Sequence, residues 1–126
     1  MIVSLDSPAE VTPPAGPYSH VAPVEVGGGA LLFLAGQIAL DDDGNVAGPG
    51  DMAAQARRIF EIVGGILAAH GGGFGDVIHI RTFVTDLGQL PAYGAVRRSC
   101  SRGRRRPAPP WRSRGCSARG RCSRSR

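Results

Sequence analysis

Three histidines, two tyrosines and a run of three aspartates are the side chains through which this chain could do chemistry. His20, His70 and His79 could offer ring nitrogens to a metal. They lie far apart, one near a loop, one at a helix end and one on a strand-like stretch, and show no ligand spacing. Asp41-Asp42-Asp43 supplies oxygens of the kind calcium takes, but no ligand ring follows it, and it reads as a solvated turn. Ser19 beside His20 pairs a nucleophile type with a base type. Adjacent residues on an extended chain point opposite ways, however, and no orienting carboxylate accompanies them. Cys100, Cys116 and Cys122 have neither paired nor metal-ligand spacing. Tyr18 is either a half-buried structural ring or a ring offered to a ligand. Gly36 marks either close strand packing or backbone left open to one.

Elements that could position these residues follow from the hydrophobic pattern. Val24-Glu25-Val26 and Ala30 to Ala35 are strand-like, and Gly27-Gly28-Gly29 between them suits a hairpin turn. Asp42-Asp43-Gly44-Asn45 is a second turn. Asp51 caps a helix in which Met52, Ala56, Ile59, Phe60, Val63, Ile66 and Leu67 form one apolar stripe at helical spacing. Arg57 and Arg58 fall on its wet face. Gly71-Gly72-Gly73 ends the helix. Val77 to Val84 is β-branched and apolar, a predicted central strand. It carries Arg81, a candidate cleft or interface residue. Thr85-Asp86 turns into a second helix from Leu87 to Arg98. The order β-β-α-β-α implies an α+β fold with helices on one face of a mixed sheet. A dinucleotide fingerprint is excluded because Gly71-Gly72-Gly73-Phe74-Gly75 follows a helix, not a strand, and the Lys-Ser/Thr of a phosphate loop is missing.

Charge divides the chain at Arg97. Residues 1–96 hold all ten acids and three arginines, net −7, whereas residues 97–126 hold twelve arginines, no acid and every cysteine. The expected organisation is therefore a domain over 1–98 and an Arg-rich, disordered tail over 99–126. No stretch reaches the roughly 18–20 apolar residues of a membrane span. No basic and then apolar leader opens the chain, so the expectation is a cytoplasmic protein without membrane partners.

The tail has two readings. Ser101-Arg102-Gly103-Arg104-Arg105-Arg106 could be a basic arm for nucleic acid, since dense arginine releases condensed counterions. Alternatively, Arg, Gly, Pro, Ala, Ser, Cys and Trp are what a GC-rich gene yields out of frame, and the chain lacks lysine altogether. Taking the last base of each codon with the first two of the next, the shifted frame permits Pro-Pro-Ala-Arg-Thr-Thr-Val across Arg104 to Trp111. It permits Glu-Val-Ala-Gly-Leu across Trp111 to Cys116 and Phe/Leu-Glu-Val-Glu across Cys122 to Arg126. That hidden reading alternates like strands, while the written one has no periodicity. The shifted frame is the favoured reading.

Three blocks carry a resemblance: Pro14-Ala15-Gly16-Pro17-Tyr18-Ser19-His20, Leu32-Phe33-Leu34-Ala35-Gly36-Gln37-Ile38-Ala39, and Asp76 to Asp86. In this order, over about Val11 to Arg98, they resemble the YjgF/YER057c/UK114 family of reactive-intermediate (Rid) deaminases. The hidden-frame Pro-Ala-Arg-Thr-Thr-Val-Glu-Val is similar to that family's C-terminal signature. The resemblance implies a chorismate-mutase-like α+β subunit, a homotrimer with clefts between subunits, and cofactor-free hydrolysis of enamines and imines such as 2-aminoacrylate to a 2-keto acid and ammonia. The implied enzyme is a 2-iminobutanoate/2-iminopropanoate deaminase. Its small imino or enamino acid needs a cationic clamp for the carboxylate and a positioned water at the imine carbon. The same resemblance implies that Tyr18 packs on substrate and that Gly36 lines the cleft with backbone. Ala35 stands where the family usually has Ser, and Gly94 where many members have Asn. The clamp arginine and the water-activating glutamate both fall in the hidden frame. No catalytic residue is thus retained, the last two strands are expected to be missing, and the written chain is expected to fold or trimerise poorly.

Overall fold

The computed structural model describes residues 4–101. Residues 102–126, which hold Cys116, Cys122 and all but the first three residues of the expected tail, lie outside the described residues. Strand β1 (Val21–Val26) pairs antiparallel with β2 (Gly29–Leu34) in the register Val21↔Leu34 to Val26↔Gly29. Gly27 turns the hairpin at φ 58°, a left-handed conformation that a side chain would strain. Ser4 and Asp6 extend the sheet. The Asp6 and Val21 backbones exchange hydrogen bonds of 2.9 and 3.1 Å, so the outer edge of β1 is occupied. A second small turn closes at the Leu40↔Val46 bridge, where the Asp41 carboxylate accepts the Asp43 and Asn45 amides.

Helix α1 (Met52–Ala69) begins at Asp51, whose side chain accepts the Ala54 amide. It ends in a glycine-capped turn. Gly71 adopts φ 73°, its amide bonds to the Ala68 carbonyl, and the Gly72 amide bonds to the Leu67 carbonyl. A short 3-10 turn at Leu87–Gln89 leads into α2 (Leu90–Cys100). Helix α2 continues through Ser99 and Cys100, two residues beyond the expected domain edge, and Cys100 packs on the helix–helix core.

Helix α1 has two buried faces, not one stripe. Ile62 and Ile66 meet Val21, with Val11, Leu32 and Leu34 packed against them, and so fix the helix to one face of the hairpin. Ala56 and Phe60 meet Val96 of α2, joined by Tyr93, Phe74 and Ile80. Phe60 stacks on Tyr93 at 6.1 Å and meets Phe74 edge-on at 5.8 Å. The opposite face of the hairpin is uncovered: Val26, Leu31 and Phe33 are exposed, Phe33 to 61%.

The α+β class is as the sequence implied, but of the two helices only α1 lies on the sheet face, while α2 packs on α1. The sheet is not the mixed one expected. Among the described residues the sheet has two antiparallel strands, and Val77–Val84 forms no strand. A central strand needs a ladder on each side. The β1 edge is occupied by Ser4 and Asp6, and no backbone hydrogen bond ties residues 78–85 to other described residues. Ile80 reaches the core and Thr82 bonds the Tyr93 hydroxyl at 2.7 Å, so side chains alone hold the segment. Ile78 and Phe83 stay exposed, at 69% and 87%.

Candidate functional site

The Pro14–His20 and Ala35–Ile38 segments converge beside α1. They border a small open cavity of about 10 Å³ lined by Thr12, Tyr18, His20, Gln37, Leu40 and Ile62, among others. Tyr18 is 45% exposed, with its ring at this cavity. Gly16 makes that ring position possible, because a Cβ there would stand 2.9 Å from Tyr18 Cε1. Gly36 is exposed and nothing lies within 4 Å of where its Cβ would be, so it leaves backbone open and is not a close-packing glycine. Ala35 continues the hairpin ladder, its amide donating to the His20 carbonyl at 2.9 Å, and its own carbonyl accepts Gln37 Nε2 at 3.0 Å.

Thr12 is the hub of the site. Its carbonyl lies 2.7 Å from His20 Nε2, a bond that closes the loop bearing Tyr18. Its hydroxyl donates to Asp42 Oδ1 at 2.6 Å and accepts from an Arg58 terminal nitrogen at 2.6 Å. Arg58 Nε donates to the Leu40 carbonyl at 2.7 Å, and its other terminal nitrogen pairs with Glu61 at 3.0 Å. Arg58 therefore corrects the wet-face expectation. Its side chain is 18% exposed because it reaches from α1 to the loop and the turn, whereas Arg57 is exposed. The Thr12 hydroxyl, then Arg58, hold the Asp42 carboxyl below its ordinary pKa. The Glu61 hydrogen bond, opposed by desolvation, raises Arg58. A larger space of about 190 Å³ opens on the other side of Thr12, between Glu10, Val11 and α1.

The histidines occupy separate places. His20 is 2% exposed, and its ring bonds the Thr12 carbonyl, not the Ser19 hydroxyl. His70 Nε2 is 3.1 Å from Asp6 Oδ2, near enough for an ion pair but off the hydrogen-bond direction. His79 and Arg81 are exposed. Among the described residues no His, Cys, Asp and Glu cluster could hold a metal. Gly94 lies on α2 with Arg98 as its neighbour, away from the residues lining the Tyr18 cavity. Thr12 and Arg58 were not legible as site residues. The Arg58–Glu61 spacing hinted at an ion pair, but nothing in the sequence joined either residue to Tyr18.

An α+β subunit with a two-segment pocket beside its hairpin is the class that fold and site define. A sequence model of the family described as Endoribonuclease L-PSP matches residues 9–117, and the chain belongs to this family, the YjgF/YER057c/UK114 group. Protein DfrA of Myxococcus xanthus is 41% identical over 81 residues, 64% of this chain and 60% of DfrA. RutC family protein slr0709 of Synechocystis sp. is 29% identical over 97 residues, 76% of this chain and 72% of the relative. The chain thus spans about three fifths of DfrA. The crystal structure of YEO7_yeast shares the fold at a TM-score of 0.68 and 21% identity, covering 78% of this chain and 74% of that one. Among the described residues no helix is long and apolar enough to cross a membrane.

Proposed function

We propose that this chain descends from an enamine/imine deaminase acting on small 2-imino acids such as the 2-aminoacrylate tautomer, and that the 126-residue form has lost the activity. The observation that carries the reading is the meeting of Tyr18 with Gln37 and Ile38 at one cavity, with Gly36 next to it in sequence but not in its lining. Hydrolysis would add water across C=N and expel ammonia, leaving the keto acid. That reaction needs a free cation for the carboxylate and a base for water. Among the described residues Arg58 reaches the cavity lining, but it is already bonded to Thr12, Asp42, Glu61 and Leu40 and cannot also clamp a substrate. The missing groups belong to the shifted frame.

The uncovered hairpin face, with Leu31 and Phe33, supports a trimer in the frame-restored protein, where apolar sheet faces would cover one another. The test is keto-acid and ammonia release from 2-aminoacrylate generated in situ. The frame-restored protein is expected to accelerate hydrolysis and the written chain to match buffer. Acceleration by the written chain would overturn the loss of activity, and an inert restored protein would overturn the deaminase reading. Sequencing the gene across codons 95–101 tests the frame directly.

A second reading rests on the family description, which names an endoribonuclease, and on the twelve arginines from residue 97 onward. An RNA-binding protein using that segment would lose affinity steeply with salt and on deletion of residues 99–126. Weak binding without a steep salt slope would exclude it.

A further inference from the structure

We propose that Arg58 is a positioning residue whose guanidinium sets the gap between two walls, the loop of residues 12–20 that presents Tyr18 and the segment of residues 35–40 that carries Gly36, Gln37 and Ile38. The proposal rests on the deaminase reading only in treating these walls as one site. At one end they are joined through backbone, where the Ala35 amide donates to the His20 carbonyl at 2.9 Å. At the other end no backbone hydrogen bond joins Thr12 to Leu40 or its neighbours among the described residues. Arg58 closes that end. Its Nε donates to the Leu40 carbonyl at 2.7 Å, and one terminal nitrogen donates to the Thr12 hydroxyl at 2.6 Å. The Leu40 amide in turn donates to the Ile38 carbonyl at 2.9 Å, so the hold on Leu40 passes into the wall that faces Tyr18.

The shape of the group, more than its charge, does this. Nε and the terminal nitrogens share one rigid plane, so the Leu40 and Thr12 acceptors cannot move apart without breaking a bond. The Thr12 hydroxyl donates to Asp42 Oδ1 at 2.6 Å, and the same Arg58 nitrogen reaches that oxygen at 3.1 Å, which ties the turn into the joint. The carboxylates themselves contribute little. The Asp42 and Glu61 side chains are 85% and 71% exposed, where water and salt weaken an ion pair. The carbonyl and hydroxyl bonds are partly buried and carry the constraint. A lysine would bring the same charge as a single point and could not hold both walls.

The experiment uses the full chain and reads nuclear Overhauser effects of two kinds. One is local to the loop, between Gly16 and the Tyr18 ring packed on it. The other crosses the gap, from Ala15 or Tyr18 to Gln37 or Ile38, which line the same narrow space. Arg58→Lys is expected to lose the cross-gap effects and keep the local one. Thr12→Val is expected to do the same, and Thr12→Ser, which restores the hydroxyl, to recover them. Gln89→Ala, which uncaps the start of α1 and leaves this joint intact, should keep both kinds. Cross-gap effects that persist in Arg58→Lys or in Thr12→Val overturn the proposal. So does their absence in Thr12→Ser, or their loss in Gln89→Ala, which would mean general loosening. Should Arg58→Lys fail to fold, the two Thr12 variants decide. No readout passes through hydrolysis, so failure of this proposal and failure of the deaminase reading are seen separately.

Discussion

Truncating Ile66 tests whether α1 fixes the hairpin, and with it the wall of the Tyr18 cavity. Ile66 is fully buried, and its cluster joins one helix residue, Ile62, to one strand residue, Val21, with Leu32 and Leu34 packed against it. Such a position collapses poorly when side-chain volume is removed, since the helix and the hairpin backbones lie on either side. Ile66→Ala is therefore expected in the upper part of the usual range, about 3–5 kcal/mol, and Ile66→Val at about 1 kcal/mol. For an ordered unit of this size each kcal/mol moves the melting temperature by about 4–8 °C, so the alanine variant should melt at least about 12 °C lower. The assay is thermal and urea unfolding followed by far-ultraviolet circular dichroism at low protein concentration. Arg57→Ala, exposed on the same helix, serves as control and should stay within about 0.5 kcal/mol. A loss below about 1 kcal/mol for Ile66→Ala would refute the argument, because the hairpin would then owe little to this contact.

Other perturbations address other joints. Gln89 accepts the Met52 amide at 3.0 Å and donates to Asp86 and Gly50, so Gln89→Ala should cost about 1 kcal/mol in urea unfolding by uncapping α1. Asp42 is held down by Thr12 and Arg58, and Asp86 by the Gln89 side chain and the Gly88 amide; both titrate below their ordinary 3.8 when folded. Their contribution to stability is complete above that value and falls away as pH drops through the lowered ones. Asp42→Asn with Asp86→Asn should flatten the acid limb of a stability–pH profile. Phe33→Asp on the uncovered face should reduce concentration-dependent association in sedimentation velocity, and equal association of both proteins would show that this face is not the contact.

The helices were legible because their signals are local. Asp51 and the Gly71-Gly72 pair bound α1 by chemistry that acts within one turn, and the spacing of Ala56, Phe60 and Ile66 places them on buried faces. The second buried face, through Ile62, was missed because it depends on where the hairpin lies. Val77–Val84 read as a strand because its composition is right, yet a strand also requires partners, and pairing is not a property of one segment. Tyr18 and Gly36 were placed by motif resemblance. Thr12 and Arg58 were invisible for the opposite reason: a threonine before two prolines and a helical arginine have no motif, and they meet across 46 residues of sequence.

Closing the Thr12–His20 loop has a consequence for recognition. The nine residues include Pro13, Pro14 and Pro17, whose φ angles are fixed, and the loop is pinned at one end by the His20 ring and at the other by Arg58 and Asp42. Most of the conformational freedom of the segment is thus lost during folding, before any ligand arrives. A molecule that packs against Tyr18 meets a preorganised ring, and little of its binding free energy is offset by ordering the loop. Rigidity at this position rests on residues 12–20 with Asp42 and Arg58, and so owes nothing to any residue after Arg97.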